Sequence, residues 1–196
     1  MSIEENTIKN SGLTLLSHAG NFIGFISYQV LQCSNSHILY FHDLMIKKSF
    51  QSLGLFRTAL MMSIVCASQD YKMDEFTGMT ITYNARVIKS LYFKPHIFKN
   101  ISFPTPSNKH KMLLREHGSH FFDPRELDIE NGIVRKMWLQ SKKDGQHIND
   151  NSELSILTGT YLNPVDGDSI VLLFDIDEKS IEHINNFLKE RVGQTP

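Results

Sequence analysis

Residues 44–68, LMIKKSFQSLGLFRTALMMSIVCAS, decide the fold of this 196-residue chain. They predict the end of a strand at Ile38–Ile46, a polar turn at Lys47–Leu53 and a helix that starts near Gly54. Apolar residues recur at the spacing of one helical face, at Leu55, Ala59, Met62 and Cys66. The first N–H groups of a helix lack partners within it and lie at the positive end of its dipole. The turn therefore predicts a phosphate or pyrophosphate site.

The pattern leaves a purely structural role open, because strand, glycine-containing turn and helix also follow one another in α/β proteins without a coenzyme. Other nucleotide-binding loops fit less well. The chain contains neither Gly-x-Gly-x-x-Gly nor Gly-x-x-x-x-Gly-Lys-Ser/Thr.

Composition predicts a globular protein of one domain with an appended subdomain. Apolar residues make up 41% of the chain, and 20 basic against 21 acidic residues give a net charge of −1. This balance offers no basis for binding nucleic acid or an anionic membrane. The polar N-terminus lacks the pattern of a signal peptide, and no apolar run reaches the roughly 20 residues of a membrane span. We expect a cytoplasmic protein in which Cys33 and Cys66 are buried, reduced thiols.

The first half of the chain predicts a meander of three antiparallel strands, a helix, a fourth strand paired in parallel by a right-handed crossover, and a second helix. The predicted ranges are Leu13–His18, Phe22–Gln32, His37–Ile46, 54–68, Phe76–Tyr83 and Ala85–Phe93. A turn at Ala19-Gly20-Asn21 separates the first two strands.

The second half carries weaker signals. We expect a loop at Asn100–His110, a helix started by Asp123-Pro124, an ambiguous segment at Ile133–Gln140, a short strand at Leu154–Leu162, a buried strand at Ser169–Asp175 and a helix at Lys179–Val192 capped by Asp177.

Two segments resemble the GNAT superfamily of N-acetyltransferases. The spacing Leu44-x-Ile46-x-Lys48-x-Phe50-Gln51-x-x-Gly54-x-Phe56 resembles the acyl-CoA loop of that family, except that Phe56 replaces a Gly or Ala. The run from Asn84 through Leu91-Tyr92 to Phe98 resembles its Asn, Leu-Tyr and Gly-Phe segment, with one extra residue before Tyr92 and no Gly before Phe98. Only about a dozen residues precede the hairpin in this chain. Members of the family carry a strand and two helices there, and those helices form one side of the acceptor site.

The resemblance implies an α/β fold with a GNAT-like core at 12–98. Outside that core we expect a flexible arm at 1–11 and a C-terminal α/β extension at 99–196 that packs on the core. It implies transfer of an acetyl or other acyl group from acyl-CoA to an amine, with acetyl-CoA as co-substrate. The residues that would hold the coenzyme are Leu44, Ile46, Gln51, Ser52, Leu53, Gly54, Leu55, Phe56 and Asn84. Tyr92 would stand near the sulfur.

On the acceptor side, the resemblance points to the strand positions just before Ile46, where His42 and Asp43 lie. His42 has an ordinary pKa near 6.5 and could take a proton at neutral pH. Its alternative is a strand histidine hydrogen-bonded at the edge. Asp43 could orient a cationic acceptor, or it could pair with an N–H group or a basic side chain because a carboxylate in an apolar strand needs a partner.

A metal site is not expected. His110, His117, His120 and Asp123 lie close in sequence, but they match no zinc spacing and Gly118 weakens a shared helical face. We expect the Lys109-His110-Lys111 cluster to be a solvated loop.

Two other readings of the function stay open. One is a catalytically inactive GNAT-like binding protein, which Phe56 and the irregular Tyr92 segment favour. The other is an N-acyl synthase that takes its acyl group from an acyl carrier protein. The sequence leaves the amine acceptor and a homodimer open, and it predicts no nucleic-acid or membrane partner.

Overall fold

The computed structural model describes residues 11–33, 36–51, 53–92, 96–136, 162 and 167–192. In these residues the strands are β1 (Ser11–His18), β2 (Asn21–Cys33), β3 (Ser36–Ile46), β4 (Phe76–Thr82), β5 (Leu127–Asp128), β6 (Ile133–Val134) and β7 (Ser169–Ile176). The helices are α1 (Leu55–Tyr71), α2 (Ala85–Tyr92), α3 (Asn108–His117) and α4 (Glu178–Val192).

The described strands form one mixed sheet in the order β1-β2-β3-β4-β7-β6-β5. This sheet, with its helices, confirms the predicted α/β fold class. The chain divides into two compact units. The first comprises residues 1–79, 96–99 and 175–196, and the second comprises 80–95 and 100–174. Most of the predicted N-terminal arm lies outside the described residues, and Ser11 already belongs to β1.

The first unit begins with the predicted hairpin. Strands β1 and β2 pair antiparallel across a two-residue turn in which Ala19 has φ 48° and Gly20 has φ 75°. Two consecutive residues with positive φ give the turn a twist that matches the flanking strands. Strand β3 then pairs antiparallel with β2, which completes the predicted meander.

The meander has an inner face that packs on α1. Thr14 and Leu16 of β1 are buried there, as are Ile26, Tyr28 and Val30 of β2. Helix α1 packs against this face and against α4. Inside the interface the Thr14 and Ser63 hydroxyl oxygens lie 2.7 Å apart, and Ser63 also donates to the Ala59 carbonyl at 2.9 Å.

The apolar face predicted for α1 is buried only in part: Ala59 is buried, whereas Met62 and Cys66 are not. Met62 is 38% exposed and Cys66 is exposed, so only Cys33 of the two thiols is buried. The buried positions are Ala59, Leu60, Met61, Ser63, Ile64, Ala67 and Ser68. The helix has apolar residues on every side, so apolar spacing alone cannot choose its buried face, and the small residues at Ala59, Ser63 and Ala67 let it approach the sheet.

In the second unit, two predictions about residues 100–111 are wrong, and the ambiguous segment at 133–140 is resolved in part. Residues 108–110 belong to α3 and not to a loop, because the Ser107 side chain caps that helix by accepting the His110 N–H at 3.2 Å. His110 is therefore fully buried and not solvated. Of the ambiguous segment, only Ile133–Val134 is a strand among the described residues.

Asp123 starts a turn, and the predicted helix after it is absent from the structure. Its carboxylate accepts the Arg125 N–H at 3.0 Å and also binds the Arg125 guanidinium. These hydrogen bonds lower the pKa of Asp123 to about 2. The chain then enters the short β5–β6 hairpin.

Two late elements are confirmed. Strand β7 is buried along almost its whole length, as its run of Ile, Val, Leu and Phe predicts. Asp177 accepts the Ser180 N–H at 2.9 Å and caps α4. Asp177 also pairs with Lys99, and these contacts lower its pKa to about 2. The predicted strand at Leu154–Leu162 lies outside the described residues except for Leu162, which is buried.

In the described part of the chain, no helix is both long and apolar enough to cross a lipid bilayer.

We predict that the buried Thr14–Ser63 contact couples β1 to α1. Ser63→Ala should destabilise the protein by roughly 1–3 kcal/mol, because it leaves the Thr14 hydroxyl buried without this partner. Adding Thr14→Val should recover part of that loss, since both hydroxyls are then gone. Urea unfolding of the two single variants and the double variant measures the coupling. Strictly additive losses would contradict it.

Candidate functional site

The loop after β3 is held to the sheet by its own hydrogen bonds. The Lys47 N–H donates to the Ile23 carbonyl and the Phe50 N–H donates to the Lys47 carbonyl, both at 2.8 Å. The Gln51 side-chain amide donates to the Ile46 carbonyl at 2.9 Å. A short 3₁₀ turn at Lys48–Phe50 follows from this arrangement. These hydrogen bonds hold the loop from Lys47 to Gln51 against the end of β3.

Gly54 sets the direction of α1. It has φ 72° and ψ 11°, a left-handed conformation that suits glycine, and it is the N-cap of the helix. Among the residues that the structure describes, no side chain caps this N-terminus, and no acidic residue lies in the first turn. The first-turn amides thus keep the arrangement that binds anions at helix N-termini. Leu53, just before Gly54, is 60% exposed.

Strand β3 carries a β-bulge at His42 and Asp43. Tyr28 of β2 pairs with Phe41, and Ile26 pairs with Leu44, so the single residue Ser27 lies opposite two residues of β3. The Asp43 N–H donates to the Ser27 hydroxyl oxygen at 3.2 Å, and that hydroxyl lies 3.5 Å from the Asp43 carboxylate. A bulge re-aims side chains and interrupts the ladder, and bulges occur often next to active sites.

His42 has two neighbours besides Asp43. Its Nε2 lies 3.2 Å from Oε1 of the buried Gln29, and its ring centroid lies 4.2 Å from that of Tyr40. Partial burial lowers the pKa of His42 below 6.5, against the smaller opposing effect of the Asp43 charge. Burial also raises the pKa of Tyr40 to about 12. The lowered pKa favours the neutral form of the His42 ring at pH 7.

The remaining coenzyme-side residues of the first unit lie on the same strand, loop and helix start. Leu44 is 40% exposed, while Ile46, Leu55 and Phe56 are partly exposed. Ser52 lies outside the described residues. The polar cluster of the bulge and the N-terminus of α1 thus lie at two points on one continuous segment, residues 42–56.

Asn84 and Tyr92 belong to the second unit. The Asn84 N–H binds the Thr82 hydroxyl oxygen at 2.9 Å, and the Asn84 carbonyl accepts from Val87 at the start of α2. The Tyr92 hydroxyl donates to the Phe103 carbonyl, and partial burial raises the pKa of Tyr92. Their proposed contacts with pantetheine and sulfur stay predictions.

Sequence reasoning missed Ser27 and Gln29. Neither belongs to a motif, and both sit in a strand with ordinary alternation. Only the register of β2 against β3 brings them to His42 and Asp43. A polar residue at every second position of β2, Ser27 and then Gln29, is the one signal that could have pointed to a polar patch.

Among the described residues, there is no group of three or more His, Cys, Asp or Glu side chains that could hold a metal ion. The rings of His117 and His120 stack with centroids 6.1 Å apart.

Comparison with known proteins finds similar folds only. No protein-family profile and no curated protein matches the chain. Among solved structures, a GNAT family acetyltransferase from Elizabethkingia anophelis with acetyl-CoA bound has 10% identity and a TM-score of 0.41, over 90% of this chain and 83% of its own. The IAA acetyltransferase from Bacillus cereus has 16% identity and a TM-score of 0.40, and the match covers 89% of this chain and 85% of the acetyltransferase.

A third match is shorter. It is an aminoglycoside acetyltransferase from an uncultured soil metagenomic sample, in complex with sisomicin, with 16% identity and a TM-score of 0.29. The match covers 31% of this chain and 41% of the other. The matched folds include GNAT acetyltransferases, as the sequence resemblance predicts, and the likeness extends to the fold alone.

We predict that Asp43 raises the pKa of His42 and that Asp43→Asn will lower it further, because removing the nearby negative charge leaves burial as the dominant effect. The ¹H and ¹³C shifts of the His42 ring, followed by NMR from pH 4 to 8, measure the midpoint. Asp70→Asn on α1 is the control and should leave that midpoint in place. A His42 midpoint above 6.5 in the unaltered protein would contradict the account.

Proposed function

We propose that the chain is an acyltransferase that moves an acetyl or other acyl group from acyl-CoA to an amine. One observation carries this proposal: a single segment, residues 42–56, bears both a histidine–carboxylate cluster at a bulge and an uncapped helix N-terminus behind Gly54. The two points have complementary chemistry, since one suits a protonated amine and the other suits a pyrophosphate.

The coenzyme side is formed by the amides behind Gly54. With no capping side chain and no acidic residue in the first turn, the start of α1 offers donors and a favourable dipole to the pyrophosphate. Gln51 binds the Ile46 carbonyl and so fixes the loop that leads there. Lys47 and Lys48 are exposed beside it and add positive charge.

The acceptor side is formed by the bulge. The Asp43 carboxylate attracts an ammonium group, and neutral His42 takes the proton that the amine must lose before it attacks. From Asp43 to the end of β3 at Ile46 is about 10 Å along the strand. The acyl group of a coenzyme whose pyrophosphate lies at α1 therefore has to reach back along β3 toward His42.

The reaction exchanges one bond for another. Once His42 has taken the first proton from the ammonium group, the amine nitrogen bonds to the carbonyl carbon and the carbon–sulfur bond breaks. The departing thiolate takes the second proton from the nitrogen, so the products are the amide and the free CoA thiol. The acyl-CoA supplies the thioester. The chain supplies orientation, the base and backbone N–H groups near Leu44–Ile46 for the developing oxyanion.

A second candidate is a binding protein that holds acyl-CoA without turnover. Its support is the Tyr92 hydroxyl, which already donates to the Phe103 carbonyl and so has a structural role. The two candidates share the coenzyme site and differ in the product. Mass-spectrometric detection of acetylated amines from a mixed pool of peptides and small amines separates them, with His42→Asn as the catalytic control.

We predict that acetyl-CoA at about a hundred times its Kd stabilises the protein by about 2.7 kcal/mol, which raises Tm by about 5–10 °C for a chain of this size. Leu53→Glu should weaken binding by about 1 kcal/mol, or about fivefold in Kd, because it sets a negative charge beside the α1 N-terminus.

Leu53→Gln is the matched control, with nearly the same shape and no charge, and it should bind as the unaltered chain does. Isothermal titration calorimetry gives the three Kd values. Absence of binding by acetyl-CoA, CoA and longer acyl-CoA, or equal Kd values for the Glu and Gln variants, would overturn the site.

A further inference from the structure

Strand β1 has an edge that suits pairing with another strand. Among the described strands it stands first in the sheet order and pairs only with β2. The backbone groups along its other side therefore form a template for a further strand. Proteins usually protect such an edge with a short strand, lysines, prolines or a bulge in the edge strand itself.

None of these protections is present in β1. Its sequence, SGLTLLSH, runs for 8 residues and contains no Asp, Glu, Lys, Arg or Pro. The register shift against β2 falls between Leu16 and Ser17, and the extra residue, Ile23, belongs to β2. From Gly12 to Leu16 the pairing of β1 with β2 is regular.

The outer face of β1 is apolar. Leu13 is 57% exposed and Leu15 is 62% exposed, while the alternate residues Thr14 and Leu16 are buried on the inner face. Leu15 lies across from Phe25 of β2, and Phe25 lies across from Met45 of β3, which is 44% exposed. The apolar strip thus continues from the edge of the sheet onto its outer face.

The sequence of β1 is close to self-complementary about Thr14. In an antiparallel pair of two copies with Thr14 opposite Thr14, Leu13 of each copy lies opposite Leu15 of the other, and Ser11 lies opposite Ser17. Gly12 lies opposite Leu16, a small residue against a large one. Two-fold symmetry requires this kind of self-match, and the lack of charge on β1 means that no like charges meet.

We propose that β1 is a homodimer interface in which two copies pair antiparallel about Thr14 and join their sheets edge to edge. Four leucines, Leu13 and Leu15 from each copy, then form one apolar cluster on the outer face. The partner is a second copy of the chain, because pairing about Thr14 places Leu13 and Leu15 of one β1 opposite Leu15 and Leu13 of the other. An unrelated extended peptide could use the same backbone groups but has no reason to match this side-chain pattern.

The interface stands apart from the proposed coenzyme site. The residues it uses lie in β1, whereas the proposed acyl-CoA contacts lie in β3, the loop and α1. Loss of the dimer should therefore leave acetyl-CoA binding intact, and failure of either proposal can be recognised without the other.

Sedimentation velocity over a concentration series tests the association. The unaltered chain should approach twice its own mass as concentration rises. Leu15→Lys should remain a monomer, because it places a charge in the leucine cluster. Leu15 is 62% exposed, so the lysine should not disturb the fold of the single chain. Met112→Lys on α3 is the matched control, since Met112 is 52% exposed and far from β1 in sequence. It should dimerise as the unaltered chain does.

Disulfide cross-linking tests the register. In a Cys66→Ser background, a mixture of Leu13→Cys chains and Leu15→Cys chains should form a covalent heterodimer under mild oxidation, whereas each variant alone should not. An unaltered chain that stays monomeric up to its solubility limit would overturn the proposal and leave the edge to an extended peptide. A dimer that survives Leu15→Lys, or cross-links equally well in either single variant, would also overturn it.

Discussion

The left-handed backbone at Gly54 is the constraint on which the candidate coenzyme site depends. An L side chain in this conformation costs roughly 1–2 kcal/mol, and glycine avoids that cost. Upstream, the Lys47 N–H and the Gln51 side chain tie the loop to the sheet through the Ile23 and Ile46 carbonyls. Gly54 then begins α1 in its left-handed conformation without a side-chain cap of its own.

The proposed acceptor side depends on a different local feature, the mismatch of one residue between β2 and β3. A regular ladder would place His42 and Asp43 on opposite faces of the sheet. The bulge instead sets both against Ser27, and Gln29 then reaches the His42 ring. Partial burial lowers the pKa of His42, which favours the neutral form of its ring at pH 7. A small change in backbone pairing thus produces the chemistry of the cluster.

Much of the fold could be predicted from local signals, and the errors have a common cause. The turn at Ala19-Gly20 and the apolar run of β7 have local explanations, and both predictions were right. Met62 and His110 were placed wrongly because burial depends on what packs against a helix, which apolar spacing and local charge do not reveal. The contacts of Ser27 could not be predicted either, since a bulge depends on how two strands pair and not on the sequence of one of them.

Amide chemical-shift mapping with acetyl-CoA would locate the coenzyme site on the chain. In ¹⁵N-labelled protein titrated with acetyl-CoA, the account predicts that the largest shifts fall on backbone amides between Lys48 and Thr58, with smaller shifts at His42 and Asp43. The amides of β1 serve as an internal reference and should barely move. Saturable binding that leaves residues 48–58 unchanged while other amides shift would contradict the assignment of the coenzyme site to the Gly54 turn.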